Sequence, residues 1–135
     1  MTRTSDTFSV AFLGVVAILG LSFAVYAAGD AGKEVSTAAT HAGFAAKATT
    51  IDMVHTHLHH VVNCLVGPKG TGFDAKAANP CDKLGDGAIP DASDAHMKDM
   101  LGDALKSANM GLTSNDLAAA QKDAMDVQAA LQKAS

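Results

Sequence analysis

Apolar residues fall along this chain in two unlike patterns. Residues 10–28 form an unbroken apolar run without a charge, whereas from Glu34 onward the apolar positions recur with helical spacing. His41, Phe44, Ala48, Ile51, His55, Leu58, Val62 and Leu65 step alternately by three and four residues. That is a heptad seam, and it predicts one long helix over about residues 34–66. Thr49-Thr50 sets two β-branched residues in its path; a break there would divide the helix in two. Gly67-Pro68 ends the pattern, because Gly accepts a left-handed cap and Pro cannot continue the hydrogen-bond ladder.

Residues 67–91 show no periodicity and are rich in Gly, Pro, Asn and Asp, so they read as a loop, long for so small a domain. A helix over about 92–109 follows, with Met97, Leu101, Ala104, Leu105 and Ala108 inward and Gly111 beyond its end. Thr113 as N-cap, Asp116 at N3 and a Leu112–Leu117 staple mark the start of a last helix over about 114–134. Its seam of Leu117, Ala120, Ala124, Val127, Leu131 and Ala134 again steps by three and four. These two helices form an antiparallel hairpin on the long one. The expected fold is all-α, a small helical bundle over residues 29–135.

The apolar run at 10–28 has a different destination. Arg3 precedes it, and Val25-Tyr26-Ala27 supplies the small-residue pattern that signal peptidase prefers. Residues 1–28 read as a signal peptide, although the run is long enough to remain as an uncleaved membrane anchor. In the second case residues 8–28 would meet the membrane or a membrane-protein partner. Either way the domain lies outside the cytoplasm, most simply in a bacterial-type periplasm.

Composition narrows the function. Hydrophobic residues make up 48% of the chain but aromatics only 4%, which suits close-packed helices built on Ala, Leu and Val. Net charge is −4, and Arg3 is the one arginine. Nucleic-acid binding needs a basic stripe, so that class is set aside. No nucleophile elbow, Gly-rich phosphate loop or His-Glu-x-x-His motif is present, and no enzyme is expected.

Chemistry concentrates in His55-Thr56-His57-Leu58-His59-His60. At 100° per residue these histidines divide into two sets. His55 and His59, one turn apart, lie beside Asp52, the pairing of a helical metal chelate with a carboxylate to ligate or orient a ring nitrogen. On the opposite face run Met53, His57, His60 and Cys64, a stripe of imidazole, thioether and thiol that suits copper. Copper stands ahead of zinc or nickel by the affinity order of divalent ions. A strand reading of residues 54–59 is outweighed by the unbroken seam from 41 to 65. His41 and His96 read as ordinary surface or core histidines. On a single helix His41 stands ~21 Å of rise from His55, so it could meet a partner only from another helix or a second copy in a homo-oligomer.

Cys64 and Cys81 are the only cysteines, and in an oxidising compartment they read as a disulfide tying the loop to the histidine helix. Two thiolate metal ligands are the alternative reading. There is no Cys-x-x-Cys-His for covalent haem. In general type the domain resembles small exported helical proteins with His and Met that buffer or carry copper, a likeness of class only. Two other functions remain open on these residues: a membrane-anchored accessory subunit, and a bundle holding non-covalent haem through His41 and His55.

Overall fold

The computed structural model describes residues 29–135; the expected signal or anchor segment, 1–28, lies outside them. Five helices follow one another: α1 (Ala31–Lys47), α2 (Ile51–Val66), α3 (Ala88–Asp91), α4 (Ala95–Thr113) and α5 (Leu117–Ala134). The all-α expectation holds, and among the described residues there is no strand.

The long helix expected over 34–66 is two helices. Ala48 leaves α1 in an extended conformation, with φ −66° and ψ 143°. Thr50, also extended, caps α2 by accepting a hydrogen bond from Met53 N at 3.3 Å. The physical reason lies in Thr49-Thr50: β-branched side chains resist the helix, and a threonine hydroxyl satisfies the orphan amides of a new one. From α5, Gln121 Nε2 donates to Ala48 O at 2.8 Å and so satisfies a carbonyl freed by the break. The chain then doubles back, and α2 runs along α1.

The later helix boundaries also differ from the expected ones. Residues 88–91, taken as loop, form the single turn α3. Helix α4 starts at 95 rather than 92, because Ala92 is extended and Asp94 supplies the cap to Met97 N at 2.8 Å. It also runs past Gly111, which is buried where a Cβ would stand 2.6 Å from Leu58 Cδ1. That glycine serves close helix packing and does not stop the helix. Thr113 ends α4, its hydroxyl donating to Met110 O, and Asp116 caps α5 by accepting from Ala119 N at 2.7 Å.

The core joins Val35, Ala38 and Ala42 of α1 to Val54, Leu58, Val61 and Leu65 of α2. Leu101 and Ala104 of α4 and Ala120, Ala124, Val127 and Leu131 of α5 close it. On α1 the buried stripe is alanine, offset from the expected seam: Phe44 is 51% exposed. Small side chains let α5 and α2 approach α1 closely, and that closeness leaves no room inside for a phenyl ring.

Two neighbours in α2 hold the long loop. Asn63 is fully buried, donates to Asp74 O and Ala78 O at 3.0 and 3.1 Å, and accepts from Asp74 N at 2.8 Å. Cys64 is bonded to Cys81 across a Cα–Cα distance of 5.1 Å. Each fully buried leucine contributes roughly 2–3 kcal/mol, so a bridge closing this loop, at roughly 3 kcal/mol, matches a core leucine. Replacing both cysteines with Ser should therefore lower unfolding free energy by roughly 3 kcal/mol in a denaturant titration. Far-UV circular dichroism of that variant should keep most of the helical signal, since none of the four long helices depends on the loop.

Candidate metal centre

Because α2 runs back along α1, residues equidistant from the break come face to face. His41 of α1 meets His57 and His60 of α2, which project from one face at a spacing of three. His41 Nδ1 stands 3.3 Å from His57 Nδ1 and 3.2 Å from His60 Nδ1. Taking one ligand nitrogen from each ring, all three lie within 4.8 Å of one another. Among the described residues, no other group of three His, Cys, Asp or Glu side chains converges this way. The rings of His41 and His60 meet edge to face, 89° apart with centroids at 4.9 Å, and Phe44 stands edge-on to His41 at 5.6 Å.

The two separations from His41 match a metal's needs. With metal–nitrogen bonds of about 2.0–2.1 Å, two ligand nitrogens of a tetrahedral ion stand about 3.3–3.4 Å apart. The three rings satisfy each other poorly without an ion. A neutral imidazole has one N–H and one lone pair, so His41 Nδ1 can point a single proton well at only one of its two neighbours. A cation at the centre takes all three lone pairs at once. The half-buried setting keeps those lone pairs free. Burial first, then the neighbouring His60 and His57, holds His41 below the usual histidine value of 6.5. His60 is likewise lowered, by burial first and then by His57 and His59. Both rings therefore stay neutral, the form that ligates metals. The triad can hold a metal ion.

The other residues singled out from the sequence are dispersed around this point. His55 points toward the turn between α4 and α5, its Nε2 donating to Ser114 O at 2.9 Å, which fixes the proton on that nitrogen. His59 Nδ1 lies 3.4 Å from Asp74 Oδ2, pairing α2 with the loop. Asp52, His55 and His59 border one open surface cavity together with Asp74, without converging on a common point. Met53 is 48% exposed, one turn before His57. Cys64 is committed to its disulfide, which takes the thiol out of the stripe. His96 is exposed at the start of α4.

His41 is the ligand that the periodicity concealed. On a single helix it is remote from the cluster; on a hairpin turning at residue 49 it is opposite His57. The signal was Thr49-Thr50, together with the near-equal distance of His41 and His57 from it.

The lowered histidines also set a pH dependence. An unfolded chain protonates these rings as pH falls below 6.5, while the folded chain resists, so their contribution to stability is present above 6.5 and lost below it. Metal-free protein should therefore lose melting temperature between pH 7.5 and 5 more steeply than a His41→Asn, His60→Asn double variant. Calorimetry at matched ionic strength reads the difference, and parallel curves would contradict it.

Comparison with protein-family models, curated proteins and solved structures finds no match to this chain, so its functional reading rests on this geometry.

Proposed function

We propose that this is an exported metal-binding protein that carries or buffers copper through His41, His57 and His60. The observation that supports it is the convergence of three imidazole rings from two helices, with one nitrogen of each within 4.8 Å of the others. Imidazole donors favour copper over zinc and nickel among divalent ions. Met53, on the same side of α2 as His57, offers a flexible thioether as a fourth donor suited to the reduced ion. Zinc is the competing occupant, with water in the fourth position.

The exposure of the site argues for traffic rather than a permanent structural ion. All three histidines are half-buried and Met53 is half-exposed, so an ion here stays within reach of a receiving protein. The core is closed by apolar packing and a disulfide. Export to a periplasm is the reading of residues 1–28, and a disulfide fits that compartment.

Isothermal titration of the metal-free protein tests the proposal. Copper should bind one to one with a Kd tighter than about 10 μM. Removing an outer-shell partner of a metal site costs roughly 10–100-fold in affinity, and His41→Ala or His57→Ala should cost at least as much. His96→Ala should leave the titration unchanged. Weaker binding, or binding indifferent to His41, sinks the reading; tighter zinc than copper would change the metal and keep the site.

A further inference from the structure

At the far end of the α1–α2 hairpin from the metal site, a second polar cluster is buried. Glu34, in the first turn of α1, has no exposed surface. Its Oε1 accepts a hydrogen bond from Gly87 N at 3.0 Å, but its Oε2 is buried with no partner. Asp91 of α3 stands beside it and accepts from Asp86 N at 2.8 Å through Oδ2. Burial, and then the Asp91 charge, pushes the Glu34 carboxyl up to about 7, against the pull of the Gly87 N–H. Asp30 adds further negative charge. Two carboxyl groups thus stand side by side, Glu34 buried and Asp91 half-buried, and Lys33, the lysine next to Glu34 in sequence, is paired outside them with Asp30 at 2.8 Å.

What approaches this pair is the beginning of the domain. Asp30 N donates to Leu84 O at 3.0 Å, pinning the incoming chain to the loop. Just before it, Gly29 is packed so tightly on the Asp91 carboxylate and Gly85 that a Cβ at either glycine would collide with Asp91 Oδ2. Gly29 follows Val25-Tyr26-Ala27-Ala28, the segment where the small-residue pattern sets a cleavage after Ala27. Gly29 is joined directly to Ala28, so a cut after Ala27 leaves the new amine one residue before Gly29.

We propose that Glu34 and Asp91 are the receiving site for an α-ammonium group, the one created on Ala28 when the chain is cut after Ala27. An ammonium carries three N–H donors and a full charge, which suits two carboxyls that otherwise have one backbone amide each and one another. A hard divalent ion would ask for six or more oxygens, and the site does not gather that many. Before cleavage Ala28 contributes only a neutral amide, and the acids must share a proton instead. Cleavage therefore locks the start of α1 against α3 and the loop. The inference rests on the export reading and is independent of the metal site, so either can fail alone.

Four preparations test it: a chain beginning at Ala28, the same chain with Gly-Ser placed ahead of Ala28, and Glu34→Gln in each of these two backgrounds. An ordinary α-amine titrates at about 7.7–8.0; in the chain beginning at Ala28, NMR should find it raised by about one pH unit or more. That chain should melt about 4 °C or more above the extended one at pH 7.5, and the gap should shrink in Glu34→Gln. An amine in the ordinary range, equal melting of the two chains, or a gap untouched by Glu34→Gln overturns the proposal. So does N-terminal sequencing of the protein from its native host that finds Met1. Should Glu34→Gln fail to fold, the amine titration in the unaltered chain decides alone.

Discussion

The reversal at Ala48-Thr49-Thr50 is the constraint on which the rest of this molecule depends. A continuous helix over the same residues would be an extended rod with His41 and His57 far apart along it. Once the chain turns at this point, position along α1 is mirrored in α2. His41 then faces His57 and His60, and Glu34 comes to the end of α2 that carries Cys64. Both polar clusters of the fold are products of that one reversal. It is held from two sides, by the Thr50 cap on α2 and by Gln121 reaching across from α5 to Ala48 O.

The loop between α2 and α3 follows a different logic. It has little apolar side-chain content with which to hold itself, so its order comes from α2. Asn63 satisfies three backbone groups of the loop from a fully buried position, and the disulfide fixes Cys81 one residue further along the helix. A buried amide in such a role is specific as well as stabilising: a leucine of the same size would fill the space and leave Asp74 N, Asp74 O and Ala78 O without partners. The loop's return end then lies against Glu34 through Gly87. One surface of α2 thus anchors the chain segment that closes over the start of α1.

Much of this was legible in the residues. The seams of α2 and α5, the polar loop and the cysteine pairing follow from periodicity and from the count of thiols. What periodicity could not register was the turn, because a spacing of three and four can continue across a break when both helices present apolar faces to one core. The inward face of α1 was hidden for a related reason. Alanine is a weak marker, and Phe44 drew the expected seam away from Val35, Ala38 and Ala42, which are the buried positions. The cap of α5 was misplaced because Ser114, Asn115 and Asp116 can all cap a helix, and only the backbone path decides that Asp116 does. The metal triad was hidden from periodicity for the same cause as the turn. His57 and His60 were visible as one face of α2, but their third partner depends on a contact between helices.

The metal centre and the core also divide the work of the fold in an economical way. Stability resides in the aliphatic interior and the disulfide. The triad sits on the half-buried side of the hairpin, where three lone pairs face one another with little else to satisfy them. An ion held by His41, His57 and His60 would add to the stability of the folded chain by mass action and join α1 to α2.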